Sequence, residues 1–97
     1  MKNEKETEKK VMGSPNWYKL NGLVYWEIEK RNIDSFEVTL CTYGKYRITN
    51  LKTGAYEWRS IPPDEMDWDN IEEDFEYIRD QLENYPEYFA KELFEKE

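Results

Sequence analysis

The sequence predicts an α+β fold: an antiparallel meander of four to five strands followed by C-terminal helices packed on one face of the sheet. Three observations carry that expectation. Turn signals arrive at short intervals between Trp17 and Gly54, separated by runs of β-branched and aromatic residues. After Pro62-Pro63 the hydrophobic period changes from two to about 3.6, and acidic residues crowd in. The 97 residues suffice for one small domain, which excludes a two-domain enzyme. That domain is expected over residues 17–97, with the sheet in 17–61 and a helical, acidic part in 67–96.

Residues 1–16 read as a flexible charged tail that ends in the breaker run Gly13-Ser14-Pro15-Asn16. A short strand from Trp17 to Leu20 then turns at Asn21-Gly22, a dipeptide that tolerates the positive φ of a two-residue hairpin and sets Trp17 opposite Trp26. In residues 23–30, Val24, Trp26 and Ile28 share one face against Glu27 and Glu29. Phe36, Val38 and Leu40 oppose Glu37, Thr39 and Cys41; Tyr46 and Ile48 oppose Arg47 and Thr49; Tyr56 and Trp58 oppose Glu57 and Arg59. One apolar face and one polar face result, with helices covering the apolar one. The helix is expected to begin near Asp67 or Asp69, either of which can accept from free amides at a helix start. Trp68, Ile71, Phe75, Ile78 and Leu82 follow at steps of 3, 4, 3 and 4 and form its buried stripe. Pro86 breaks the helix, leaving a second, shorter one that carries Phe89 and Leu93.

The charge and cysteine counts exclude most chemistry. Fourteen Lys and Arg stand against 22 Asp and Glu, a formal charge of −8, which is the wrong sign for nucleic acid or an anionic membrane. There is no His and one Cys, so Ser-His-Asp and Cys-His catalysis, Cys/His zinc sites and internal disulfides are absent from the expectation. Cys41 reads as a small half-buried hydrophobe. The acids between Asp64 and Asp69 lack the continuation of an EF-hand loop, since Ile71 and Glu72 stand where a ligand and Gly belong. No enzyme activity and no cofactor are expected. The N-terminus lacks the apolar run of a signal peptide, so the chain is expected to be cytoplasmic.

All the excess acid is C-terminal: residues 1–60 carry 11 basic and 8 acidic side chains, residues 61–97 only 3 basic and 14 acidic. Asp69, Glu73, Glu76, Asp80, Glu83 and Glu87 recur at steps of 4, 3, 4, 3 and 4 with Glu72 beside them, so one helix face becomes a row of carboxylates about 5 Å apart. Solvated helix faces are usually acidic and basic together. Here Asp69/Glu73, Glu72/Glu76 and Glu76/Asp80 are like-charged neighbours, each costing roughly 0.2–0.5 kcal/mol. In composition these residues resemble the small acidic inhibitors of phages and mobile elements: DNA-mimic antirestriction proteins, uracil-DNA glycosylase inhibitors and some anti-CRISPR proteins. The resemblance implies an anti-defence inhibitor that mimics nucleic acid and blocks a basic, nucleic-acid-binding host protein through these seven acids. It implies direct binding to neither nucleic acid nor membrane. The alternative is a non-enzymatic interaction module, or a small subunit of a complex, that meets its partner through the aromatic sheet.

Overall fold

A computed structural model of the chain describes residues 16–95. Five strands follow as an antiparallel meander, β1 (Trp17–Leu20), β2 (Leu23–Ile33), β3 (Phe36–Cys41), β4 (Lys45–Asn50) and β5 (Tyr56–Ser60), with the order in the sheet equal to that in the chain. One α-helix, α1 (Ile71–Asn84), comes after them, and two short 3-10 turns, Pro86–Tyr88 and Lys91–Phe94, end the described chain. The tail expected over residues 1–16 lies, apart from Asn16, outside the described residues.

Backbone chemistry places the turns. Asn21 and Gly22 hold φ of 51° and 84°, the left-handed pair of a two-residue turn, and Trp17 pairs with Trp26 as expected. Between β3 and β4 lies the 3-10 turn Thr42–Gly44. Gly44 has φ of +72°, a conformation that favours glycine, and a Cβ there would come within 2.6 Å of the Met66 sulfur and push that side chain aside.

The register of β2 against β3 contains a one-residue bulge: Glu27 pairs with Cys41 but Glu29 with Leu40, leaving Ile28 extra. Beyond the bulge the odd-numbered residues Glu29, Arg31 and Ile33 therefore line up with Leu40, Val38 and Phe36 on the face toward α1. Ile33, Val38, Leu40, Tyr46 and Ile48 from that face bury themselves against Ile61, Phe75, Ile78, Leu82, Phe89 and Leu93. Before the bulge the same face carries Val24 and Trp26, and these depart from expectation. Val24, Trp26 and Ile28, expected under the helices, are 38%, 43% and 46% exposed. The helix meets β2 only further along, where Arg31 lies over the Phe75 ring and bonds Glu72.

A second correction concerns the other face. Trp58 pairs with Arg47 and Tyr56 with Thr49, so the aromatics of β5 stand opposite Tyr46 and Ile48, on the side expected to be polar. There Tyr18 of β1 meets Trp58 of β5 edge-on, with ring centroids 5.2 Å apart. β1 and β5 are the two ends of the sheet order, so the sheet curls and this is its concave face. Thr39 and Cys41 are fully buried within the curl, not half-buried. Burial, and to a lesser degree Glu27, pushes the Cys41 thiol up to about 12, so it stays protonated at neutral pH.

α1 begins one step later than expected. Asn70 is the cap and accepts from the Glu72 amide, while Asp67 accepts from the Asp69 amide in the preceding turn. Ile71, Phe75, Ile78 and Leu82 form the inward stripe, but Trp68 precedes the helix and is exposed, edge-on to Tyr43 at 6.0 Å. Tyr85 leaves helical geometry ahead of Pro86, as steric conflict with a proline ring requires. The second helix expected around Phe89 and Leu93 is instead the pair of 3-10 turns, held by side chains of the sheet. Asn50 Nδ2 donates to the Leu93 carbonyl at 2.9 Å, Arg59 donates to the Tyr88 carbonyl at 3.0 Å, and Glu57 accepts from the Ala90 amide at 2.9 Å. Phe89 and Leu93 are buried all the same.

These burials separate two aromatic positions. Phe75→Ala is expected to cost about 3–5 kcal/mol in chemical denaturation, because it opens a cavity in the main core. Trp26→Ala gives up a half-exposed contact with Trp17, at 6.3 Å between centroids, and is expected to cost about 1 kcal/mol. Equal costs at the two sites would place Trp26 in the core and contradict this packing.

Candidate interaction surface on the acidic helix face

Because α1 turns Asp74, Phe75, Ile78 and Leu82 inward, its outer face consists of Glu72, Glu73, Glu76, Arg79, Asp80, Glu83 and Asn84, all exposed. The seven acids expected to act together do not form one row. Glu73, Glu76, Asp80 and Glu83 form one continuous row along roughly 15 Å of helix, given a rise of about 1.5 Å per residue. Asp69 sits exposed in the turn before the Asn70 cap, and Glu72 is withdrawn from the row by Arg31, whose Nη1 and Nη2 donate to its two oxygens at 3.0 and 2.7 Å. That fork holds the Glu72 carboxyl below the usual carboxylate range. Glu87 lies beyond the break, in the Pro86–Tyr88 turn, and does not continue the helical row.

Position along the helix decides what each charge costs. Glu72, Glu73 and Asp74 occupy the first turn, where the positive end of the helix dipole favours them. Glu83 sits in the last turn, which has no basic residue, and there the dipole disfavours an acid by about 0.3–1 kcal/mol. Asp80 accepts from Asn84 Nδ2 at 2.6 Å. Among the described residues no Lys or Arg forms a salt bridge with Glu73, Glu76, Asp80 or Glu83.

No family model, curated protein or solved structure matches this chain. Among the described residues no three His, Cys, Asp or Glu side chains gather as metal ligands, and no helix is long and apolar enough to cross a membrane.

Two further surfaces lie away from the acidic row, and each was legible in the sequence only in part. Trp17, Val24, Trp26 and Ile28 form an uncovered apolar patch on the β1–β2 hairpin; alternation marks them as sharing a face but says nothing about where the helix stops. Tyr25, Tyr43 and Trp68 form a chain of edge-on rings with centroids 6.2 and 6.0 Å apart, joined by Lys45 over Tyr25. Tyr43 and Trp68 come together because the turn before β4 and the approach to α1 cross.

Asp74 anchors that approach. It is buried and accepts from the Asp67 amide at 3.0 Å. Burial raises its carboxyl above the ordinary 3.8, aided by the charge of Asp67 and opposed by the amide bond. A raised carboxyl contributes stability below the unfolded value and loses it as pH climbs through the folded one; the lowered Glu72 does the reverse. Asp74→Asn is therefore expected to gain on the parent protein as pH rises from 3 to 7, and Glu72→Gln to lose ground over the same interval. Thermal unfolding at the two pH values measures both, and a pH-independent difference at either site would contradict the assignment.

Proposed function

We propose that this chain is a non-enzymatic protein-binding inhibitor whose acidic helix face occupies the basic groove in which a nucleic-acid-binding protein holds phosphates. A phage- or mobile-element-borne anti-defence protein of the cytoplasm would act in this way. The observation that carries the proposal is the row Glu73, Glu76, Asp80 and Glu83: four exposed carboxylates, without cation partners among the described residues, on a helix whose last turn disfavours one of them. The charges recur about every 5 Å along the axis, against about 3.4 Å per phosphate along one DNA strand. The helix is thus a dilute copy of a strand, suited to a groove lined by flexible Lys and Arg.

A second reading is favoured by the exposed hairpin patch. Contiguous apolar surface of this kind marks interaction sites. An interaction module or small subunit would then make contact through Trp17, Val24, Trp26 and Ile28, with the acids conferring solubility.

One pair of variants separates the two. Replacing Glu73, Glu76 and Asp80 together by Lys is expected to abolish capture of a basic nucleic-acid-binding partner in a pull-down while melting temperature stays close to the parent's, since positions 72/76 and 80/83 become oppositely charged whereas 73/76 and 76/80 stay like-charged and the first turn loses an acid. Binding by the parent should weaken with salt as steering is screened over about 8 Å at 0.15 M. Undiminished binding by the triple variant, with loss in Trp26→Ala instead, would transfer the contact to the hairpin.

A further inference from the structure

Twice within its own fold this chain holds a guanidinium between an aromatic ring and a carboxylate. Arg31 lies over Phe75 at 4.4 Å with Glu29 and Glu72 on its edge, and Arg59 lies over Phe89 at 4.5 Å with Glu57 on its edge. The ring attracts the cation and the carboxylate fixes the fork, so the arrangement suits arginine better than the compact, strongly hydrated ammonium of lysine.

A third set of rings and carboxylates faces outward. Tyr43 and Trp68 meet edge-on at 6.0 Å with 78° between their planes, and they are 66% and 61% exposed, so the corner they form opens to water. Asp67 and Asp69 are the chain neighbours of Trp68, and Asp69 is exposed with it. The rings are held from behind. Tyr25 meets Tyr43 at 6.2 Å, and the segment carrying Trp68 is tied down where the Asp67 amide donates to buried Asp74 and the Asp69 amide donates to Asp67. At the other end of this ring row Lys45 lies over Tyr25 at 5.6 Å, so one member already takes a cation. Trp and Tyr are the side chains that most often dominate binding energy at protein interfaces.

The charge around the corner chooses its occupant. Between Pro63 and Asn70 the chain carries Asp64, Glu65, Asp67 and Asp69 and no Lys or Arg, and Asp69 leads into the N-terminal end of α1. A nucleotide base would stack on the rings but brings phosphate, which this charge repels. An uncharged apolar segment gains nothing from the acids. We infer that Tyr43, Trp68 and Asp69 dock an arginine side chain of a protein partner, with its guanidinium on the rings and its edge on the carboxylate. The partner is the basic protein proposed for the acidic row, and the inference rests on that reading for the partner's identity.

The test follows the four tryptophan indole N–H signals of the full chain labelled with 15N, that of Trp68 being the one lost in Trp68→Phe. Capped Gly-Arg-Gly, Gly-Lys-Gly and Gly-Leu-Gly peptides are titrated in separately at about 0.15 M salt, where screening acts beyond about 8 Å. The arginine peptide is expected to shift the Trp68 signal saturably while the other three stay nearly still, and to bind about threefold tighter than the lysine peptide. Tyr43→Gly removes one ring and suits the φ of 62° there, so circular dichroism should hold while the affinity falls about threefold. Asp69→Asn should weaken it likewise. Absence of a saturable shift at Trp68, equal affinity for the lysine peptide, or binding of the leucine peptide as tight as that of arginine overturns the site. So does an affinity untouched by either variant. The peptides read the rings with no partner present, which keeps this result apart from the acidic row. A partner captured by Tyr43→Gly as well as by the parent, yet lost when Glu73, Glu76 and Asp80 become Lys, overturns the arginine site and leaves the row standing.

Discussion

One helix of 14 residues has to cover a five-stranded sheet, and it cannot. Strands about 4.8 Å apart make a sheet about 19 Å wide, while a helix with its side chains is about 10 Å across. A flat sheet of this sequence would leave most of one face and part of the other in water. The curl answers that shortage. By bringing Tyr18 of β1 against Trp58 of β5, the sheet uses its own edges to cover Thr39, Cys41 and the stem of Arg47, and α1 is needed only over β3, β4 and the end of β2. What neither device reaches is the other face of the β1–β2 hairpin, where Val24, Trp26 and Ile28 remain exposed.

The same shortage explains how the C-terminal segment is held. After Pro86 the described chain forms two 3-10 turns, which leave carbonyl and amide groups to be satisfied from outside. Asn50, Glu57 and Arg59 provide those bonds from β4 and β5. Asn50 is the most economical of them: its amide nitrogen bonds Leu93, and its oxygen accepts from the Lys52 and Thr53 amides in the turn after β4. Polar side chains at these positions fix where Phe89 and Leu93 enter the core.

Much of the fold was legible because local chemistry dictates it. Asn21-Gly22 admits almost nothing but a tight hairpin, and the 3-4 spacing of Ile71, Phe75, Ile78 and Leu82 fits a helix and no strand. The acidic row was legible too, except at its ends: Glu72 is claimed by Arg31, 41 positions away in the chain, and Glu87 falls beyond a proline whose effect is a 3-10 turn rather than a new helix. What strict alternation hides is the bulge at Ile28, since one extra residue reverses every assignment after it. It also hides the side to which β5 belongs, because Tyr56-Glu57-Trp58-Arg59 alternates equally well either way; the pairing of Trp58 with Arg47 chooses. The meeting of Tyr18 with Trp58 follows from that choice and from the curl, both of which join residues distant in sequence.

Charge is divided along the same line as the architecture. Residues 17–60 carry seven basic and five acidic side chains, whereas residues 61–97 carry 3 basic and 14 acidic, so the sheet is mildly basic and the helical layer strongly acidic. The acids sit on the outer side of α1, and a layer of secondary structure is about 10 Å thick, so the concave face lies more than the screening length of about 8 Å from them at physiological salt. On the concave face the charges that act on Cys41 are those of Glu27, which accepts from Tyr18 and Asn16, and of Arg47 and Lys30. The curl thus sets the aromatic side of the sheet and the acidic side of α1 on opposite surfaces of the domain.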